Sequence, residues 1–276
     1  FCADFRVLYS DGSLRWVQCR GAAKRDSLGF ATRMAGSLND VTSTKAHDQL
    51  TNLPNRLFLQ ERAATALTMY RRDAAADFAV VFLGLDHFKF INDCLGHAAG
   101  DEMLAEIARR LENSLRVNPP HVPFRQGRDL VARIGGDEFA ILLDHVSGEA
   151  AAIAVAERVR RELGSAVQVE GREVFTTCSA GVAYVSTEHL TAEEILRDAG
   201  TALTRAKTLG KNRVSAFDAT MRNEAVERMN MERSLKKALE RDEFEVYYQP
   251  KVRLSDDQLI GFEALVRWNH PERGLM

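Results

Sequence analysis

The residues best suited to chemistry lie in one short stretch, residues 133–139, with the sequence Arg-Ile-Gly-Gly-Asp-Glu-Phe. Strand-forming residues flank it, so Gly135 and Gly136 fall where a tight hairpin turn needs residues that tolerate positive φ. Asp137 and Glu138 then present carboxylate oxygens at the turn, the ligands that Mg²⁺ prefers when it also holds phosphates. Taken alone, the stretch is more typical of a solvated acidic turn, since such turns are common. The other motifs of the chain favour the chemical interpretation.

Composition limits the class of protein. The chain has 276 residues, 45% hydrophobic and 28% charged, which suits one large globular domain or two to three smaller ones. Its 37 basic and 39 acidic residues give a formal charge of −2, so no broad basic field attracts nucleic acid or an acidic membrane surface. The four cysteines are scattered and form no Cys-x-x-Cys pair, which predicts free thiols in a reducing compartment.

The elements that must position the turn are predicted from pattern and turn signals. Residues 1–42 favour three strands, two of them joined by a turn at residues 10–13. Further along the chain we expect helices at 56–70, 98–115, around 153–163 and 191–209, and strands at 78–85, 174–185 and 212–217. Hairpins mixed with crossovers predict an α+β fold rather than a doubly wound parallel sheet. A polar helix to about residue 241 and strands at 244–248 and 259–268 complete the sequence.

The chain shows no segment that predicts membrane insertion. Its longest apolar run, residues 78–85, is far too short to span a bilayer, and no signal peptide opens the chain. The first residue is Phe1 and the last is Met276, just after a Pro-Glu-Arg-Gly turn, so the chain resembles an excerpt of a longer protein. We expect a cytoplasmic location, with membrane anchoring of a full-length protein left open.

Residues 133–139 resemble the name-giving signature of GGDEF domains, the diguanylate cyclases. Four further motifs follow the family pattern in the same order, at residues 48–56, 85–101, 179–183 and 206–213. The resemblance implies a nucleotidyl-cyclase-like α+β domain at residues 43–218, with a central mixed sheet flanked by helices. Residues 1–42 resemble the C-terminal part of a PAS domain. Residues 219–276 resemble a linker helix and the truncated start of an EAL domain, the cyclic-di-GMP phosphodiesterase fold.

The resemblance also implies the reaction and its partners. Each protomer of a homodimer, formed through the GGDEF domains, is expected to hold one GTP, and each ribose 3′-hydroxyl attacks the α-phosphate of the other GTP to give cyclic-di-GMP. Mg²⁺ or Mn²⁺ is the implied cofactor. Asp137 and Glu138 are the implied catalytic pair. The implied metal ligands are Asp137 and the backbone carbonyl of Leu85, with Asp86 as a further candidate.

The remaining site residues follow from the same resemblance. Asn92 and Asp101 match positions that recognise guanine, since an amide and a carboxylate can pair with the edge of the base. The other implied substrate-binding residues are Phe88, Lys89, His97, Gly135, Gly136, Lys207 and Lys211. In the EAL segment, Glu263 matches a metal-binding position. Taken singly, Asn92 and Asp101 also fit loop caps.

Four positions depart from the family pattern. A metal-binding Asp is usual where this chain has Gly84, so one ligand is missing. A tyrosine is usual at Thr204 and an acidic residue at Gly200, changes that we expect to affect packing. The Arg-x-x-Asp motif of the inhibitory product site is replaced by Gln-Gly-Arg-Asp at residues 126–129, with Arg125 and Arg128 at other spacings.

Three hypotheses remain open from the sequence. The first is an active diguanylate cyclase whose activity is reduced because Gly84 replaces the metal-binding Asp. The second is a catalytically weak GTP-binding module that controls the attached EAL phosphodiesterase. The third is a purely structural dimerisation domain, which the retained base and phosphate positions disfavour. Nucleotide binding separates the third from the other two, and turnover separates the first from the second.

Overall fold

The computed structural model describes residues 1–9, 14–41, 45–73, 76–115 and 129–276. The chain forms two compact units, Phe1–Asp218 and Ala219–Met276. The turn predicted at residues 10–13 lies outside the described residues, as do Arg125, Gln126 and Arg128. No helix in the described part of the chain is long and apolar enough to cross a membrane.

The first unit begins with a three-stranded antiparallel sheet in the order β1-β2-β3. Its strands are β1 (Cys2–Leu8), β2 (Leu14–Arg25) and β3 (Ala31–Asp40). Every residue of β3 is exposed, as expected for a sheet of three strands that does not bury a face by itself. The sheet contacts the following segment through Lys45, whose Nζ lies 2.5 Å from Asp4 Oδ2 and 5.3 Å from the centre of the Trp16 ring. The PAS resemblance of these residues stays a prediction.

The rest of the first unit is an α+β domain, which confirms the predicted fold class. Its elements are α1 (Arg56–Arg72), β4 (Phe78–Leu85), α2 (Phe88–Leu95), α3 (His97–Ser114), β5 (Leu130–Gly135), β6 (Glu138–Asp144), α4 (Glu149–Leu163), β7 (Val167–Val169), β8 (Arg172–Val174), β9 (Cys178–Tyr184), α5 (Ala192–Thr208) and β10 (Val214–Ala216). The central five-stranded sheet has the order β10-β9-β4-β6-β5, and only the β10–β9 pair among these strands is parallel. The sheet is therefore mixed, with β4 in the middle.

Strand β4 separates two apolar cores. Its residues are all buried except Phe82, which is partly buried, as the continuous apolar run predicts. Ala79 and Val81 belong to the core that includes residues of α3 and α4, whereas Phe78 and Val80 belong to the core that includes residues of α1 and α5. Because side chains alternate along a strand, Gly84 falls on the α5 side of the sheet.

Two predicted elements differ from the structure. The single strand predicted at residues 174–185 is divided, because Val174 ends β8 of the short β7–β8 hairpin, residues 175–177 are not in a strand, and β9 begins only at Cys178. The helix predicted from residue 98 is preceded by a separate helix, α2. Gly96, with φ 88°, breaks the helical path between α2 and α3.

The second unit contains one helix and a hairpin-based sheet. Helix α6 (Ala219–Glu240) is followed by β11 (Phe244–Val252), β12 (Leu259–His270) and β13 (Gly274–Leu275), all antiparallel. Trp268 is buried, packs 5.7 Å from the ring of Phe244, and donates a hydrogen bond to Glu243 Oε2 at 3.0 Å. The aromatic pair is the centre of this small unit.

Gly181 on β9 lies directly against the backbone of α5. A Cβ there would lie 2.1 Å from the Leu203 nitrogen and 2.3 Å from the Ala199 oxygen. We expect Gly181→Ala to lower the free energy of unfolding by about 1 to 3 kcal/mol or more, because strand and helix must move apart. Gly200→Ala is the matched control, since its Cβ meets only Phe82 ring carbons, at 3.6 Å. Gly200→Ala should raise the free energy of unfolding by about 0.5 to 1 kcal/mol, because alanine is more stable than glycine in the middle of a helix. Urea unfolding measures both, and equal stabilities would contradict the packing argument.

Candidate functional site

The turn between β5 and β6 has the geometry that its glycines predict. Gly135 and Gly136 have φ of 147° and 54°, in the region that favours glycine. The following carboxylates point into solvent, with 34% of the Asp137 side chain and 42% of the Glu138 side chain exposed. The backbone N–H of Leu85 donates to the Asp137 carbonyl at 3.2 Å, which ties the turn to the end of β4.

Arg133 fastens the turn to residues 48–55. Its Nη2 donates to the Gly136 carbonyl at 2.9 Å and its Nη1 to Asp48 Oδ1, also at 2.9 Å. Its backbone N–H donates to the carbonyl of Pro54 at 2.8 Å. One arginine thereby fixes both the turn and the segment that leads into α1. The sequence contained both motifs, but it gave no sign that they meet.

Asp48 is held ionised by these contacts. Burial raises the pKa of its carboxyl, but hydrogen bonds from Thr51 and from the Arg133 guanidinium outweigh that effect and keep the pKa below its usual value. Asn55 continues the connection, because its Nδ2 donates to the Lys45 carbonyl at 2.7 Å while its Oδ1 accepts from Phe58 N–H and caps α1.

Gly84 and the side chain of Lys207 lie next to each other and beside the turn. Gly84 is the register partner of Glu138 across the β4–β6 ladder. Lys207, in the last turn of α5, places its Nζ 3.7 Å from Glu138 Oε1 and 4.0 Å from Asp137 Oδ2. The structure thus brings two of the predicted catalytic carboxylates together with one of the predicted phosphate-binding lysines.

Asp86 is engaged inside the fold. It is buried, and its carboxylate accepts hydrogen bonds from Thr177 Oγ1 at 2.7 Å, Ser179 Oγ at 2.8 Å and the backbone N–H of Asn212 at 3.0 Å. These bonds anchor the loop after α5 to the end of β4. The sequence offered Asp86 as a further metal ligand, and that role stays a prediction; in the structure its carboxylate positions the loop after α5.

Asn92 lies in a tight corner between α2 and α3. Its Oδ1 is buried and has no hydrogen-bond partner among the described residues. A Cβ on Gly100 would lie 1.9 Å from this oxygen and 3.1 Å from Phe88 Cζ, so the corner closes only with glycine there. Asp101, the residue after Gly100, is exposed. The amide is therefore held in a fixed position beside an accessible carboxylate.

Of the other predicted substrate-binding residues, Phe88 is buried in the apolar core, whereas the charged side chains lie nearer the surface. Lys211 Nζ lies 3.4 Å from both ring nitrogens of His87, and His87 itself has a left-handed backbone (φ 60°) that starts α2. Lys89 and His97 are exposed. In the second unit, Glu263 is about half exposed and its Oε2 lies 3.2 Å from Lys251 Nζ.

The residues around the turn do not assemble a complete divalent-metal site. Among the described residues, no group of three or more His, Cys, Asp or Glu side chains is arranged to hold a metal ion. Asp137 and Glu138 face the Lys207 ammonium, Gly84 supplies no ligand, and Asp86 is turned into the fold. Mg²⁺ demands near-octahedral oxygen geometry, so with glycine in place of a carboxylate at position 84 a larger part of its shell would have to come from water and substrate phosphates.

Models of two protein families match the chain, one in each compact unit. The model of the GGDEF domain, described as diguanylate cyclase, matches residues 45–213, and the model of the EAL domain matches residues 232–276. Among solved structures, the GGDEF domain of YfiN (TpbB) from Pseudomonas aeruginosa is 35% identical with a TM-score of 0.58, and covers 64% of this chain and 97% of its own. The GGDEF domain of DgcB from Caulobacter crescentus, in complex with c-di-GMP, is 26% identical with a TM-score of 0.55, and covers 62% of this chain and 93% of its own.

Curated relatives extend across both units. The bifunctional diguanylate cyclase/cyclic di-GMP phosphodiesterase MucR of Pseudomonas aeruginosa is 35% identical over 247 residues, which is 90% of this chain and 34% of MucR. The cyclic di-GMP phosphodiesterase NbdA of the same organism is 36% identical over 268 residues, 95% of this chain and 33% of NbdA. The chain spans about a third of the length of these relatives.

The Asp48–Arg133 pair predicts a pH-dependent stability. Asp48→Asn should lower the free energy of unfolding by about 1 to 3 kcal/mol at neutral pH, because a charge-assisted hydrogen bond is lost. The folded pKa of Asp48 lies below its unfolded value, so this contribution is complete above the unfolded pKa, near pH 4, and is lost as the pH falls through the folded pKa. Urea unfolding of the wild type and the variant between pH 3 and 7 measures it.

Arg133→Met completes a double-mutant cycle with Asp48→Asn. The coupling energy should account for most of the effect of Asp48→Asn at pH 7 and should shrink on acidification. A coupling near zero at neutral pH would contradict the assignment.

Proposed function

Because the chain belongs to the GGDEF domain family, the diguanylate cyclases, we propose that residues 45–213 bind GTP within a protein of cyclic-di-GMP signalling. The EAL match at residues 232–276 supports the signalling role, as does the name of the relative MucR, a bifunctional diguanylate cyclase/cyclic di-GMP phosphodiesterase. The activity, substrates and partners of the whole protein are part of this proposal, because the chain spans only part of those relatives.

The observation that carries the proposal is the buried Asn92 amide oxygen that lacks a partner in the described part of the chain. Leaving a buried acceptor unpaired costs about 1 to 3 kcal/mol, so such a group in a native site is typically kept for a ligand. Guanine offers adjacent N1–H and N2–H donors to a carboxylate such as Asp101, and adenine offers neither at that edge. The close approach of Gly100 restricts the Asn92 amide to one position, which supports its proposed role in holding the base together with Asp101.

We assign phosphate recognition to Lys207 and Lys211, which follow Asn92 and Asp101 in the sequence. Lys207 lies at the turn, and Lys211 belongs to the loop that Asp86 anchors through Asn212 N–H. Two ammonium groups at fixed positions are suited to a triphosphate, since lysine acts on phosphate as a compact point charge. We place the triphosphate between α2 and the turn, close to Lys89.

We infer that the domain turns GTP over slowly. In the family reaction the 3′-oxygen of one GTP forms a bond to the α-phosphorus of the other, the bond from that phosphorus to pyrophosphate breaks, and the hydroxyl proton passes to a base. Glu138 is the candidate base, and a homodimer is required because each protomer supplies one GTP. Family members generally use Mg²⁺ or Mn²⁺, whereas this chain retains only Asp137 and the Leu85 carbonyl of its implied ligands, so catalysis should suffer more than binding.

A regulatory role is the second candidate function. Gly84 favours it, because a domain that binds GTP without turning it over can still change the activity of an attached EAL domain. The relative NbdA, whose name is that of a phosphodiesterase only, is as similar to this chain as the bifunctional MucR. Glu263 would then belong to the metal site of that phosphodiesterase.

The base assignment predicts selectivity for GTP over ATP. We expect ATP to bind at least about tenfold more weakly, because a carboxylate facing adenine would lack its donors. Isothermal titration calorimetry with both nucleotides measures this. Gly100→Ala should reduce GTP affinity by a similar factor, since its Cβ expels the Asn92 amide, whereas Gly200→Ala, at another helical glycine where a Cβ meets only Phe82 ring carbons at 3.6 Å, controls for the loss of a helical glycine. Equal affinities for the two nucleotides would remove the assignment.

The metal-ligand argument predicts that Gly84→Asp raises turnover. Restoring the carboxylate should increase cyclic-di-GMP formation from GTP with Mg²⁺ or Mn²⁺ by about 10- to 100-fold. The fold should tolerate the change, because a Cβ at Gly84 meets the movable end of Lys207 at 2.6 Å and Leu203 only at 3.6 Å. Chromatographic product analysis with a thermal melt of the same samples tests both statements. Turnover that is already fast in the wild type and unchanged in the variant would refute them.

A further inference from the structure

The Lys207 ammonium occupies the space that a side chain at position 84 would fill. Its Nζ and Cε lie 2.6 and 2.7 Å from the position of a Cβ on Gly84. Gly84 pairs with Glu138 in the sheet, so the ammonium lies beside the turn at the level of both carboxylates. A residue larger than glycine at position 84 would move the lysine from this place.

The ammonium is the cation that the carboxylates of the turn share. Its Nζ lies 3.7 Å from Glu138 and 4.0 Å from Asp137, and the three side chains are only 31% to 42% exposed. Arg133, which is close in sequence, is directed instead to Asp48 and to the backbone of the turn. The two carboxylates therefore face one lysine, and the lysine keeps one side open to solvent.

We propose that Lys207 replaces a protein-held divalent ion in this domain, with its ammonium lying between the carboxylates of the turn and the phosphates of the nucleotide. The inference rests on the proposed GTP binding and specifies how the phosphate charge is balanced. An ammonium needs no octahedral shell, so the incomplete ligand set is sufficient for it.

Nucleotide binding should then depend little on free divalent cations. By calorimetry on the 276-residue chain, the Kd for GTP in EDTA should lie within about threefold of the Kd in Mg²⁺. Lys207→Met should weaken binding in EDTA by at least about tenfold, since a charge-assisted contact is lost. Lys211→Met, which removes a lysine near His87 and not at the carboxylates, should weaken binding by one common factor in both solutions.

Substitutions at position 84 test the replacement directly. Gly84→Asp should make GTP binding at least about tenfold tighter in Mg²⁺ than in EDTA, because the third carboxylate creates a divalent site. Gly84→Asn has nearly the same volume without the charge, and should gain no such dependence. Electron paramagnetic resonance titration of Mn²⁺ without nucleotide gives a second readout: Gly84→Asp should gain a bound ion that the wild type lacks.

The outcomes separate this inference from the proposed function. GTP binding by the wild type only in the presence of Mg²⁺ would overturn the role of Lys207 and leave GTP binding intact. A Mn²⁺ ion bound by the wild type and lost in Asp137→Asn would overturn it as well. Absence of GTP binding under every condition would overturn both proposals.

Discussion

The pairing of β4 with both of its neighbours is the constraint on which the site depends. β4 is bonded to β6 on one edge and to β9 on the other, and both of its faces are covered. A slip of one residue would exchange the two faces, so that side chains fitted to one core would have to pack in the other, and the register is therefore strongly specified. That register alone puts Gly84 opposite Glu138 and on the side of α5. The carboxylates of the turn and the lysine of the helix meet as a result of sheet geometry.

Strong local patterns were predictable from the sequence, and long-range contacts were not. β4 was predicted with its observed ends because eight successive apolar or small residues admit few alternatives. Gly135 and Gly136 identified the turn because positive φ requires them. By contrast, residues 174–185 looked like one strand, since periodicity does not show that Val174 pairs within a separate short hairpin and that β9 begins only at Cys178.

The site itself was predicted as a set of residue types, and the structure adds how they are used. Asp86 fitted a metal ligand by spacing, yet its partners come from residues about 90 and 126 positions away, which no local pattern contains. The contact between Lys207 and Gly84 likewise joins residues that are far apart in the sequence. Asn92 was identified by resemblance alone, and only the packing against Gly100 explains why its amide oxygen stays without a partner in the described structure. Glycines thus shape the site at two points where a missing side chain makes room for a polar group.

The connection from the first sheet to the turn has a mechanical consequence. Asp4 binds Lys45, the Lys45 carbonyl accepts from Asn55, and the neighbouring Pro54 carbonyl accepts from the backbone of Arg133. Together with the bond from Arg133 to the Gly136 carbonyl, these links form a path of polar contacts from the first sheet to the turn that carries Asp137 and Glu138. A displacement of the first sheet would therefore reach the two carboxylates as a change in their alignment.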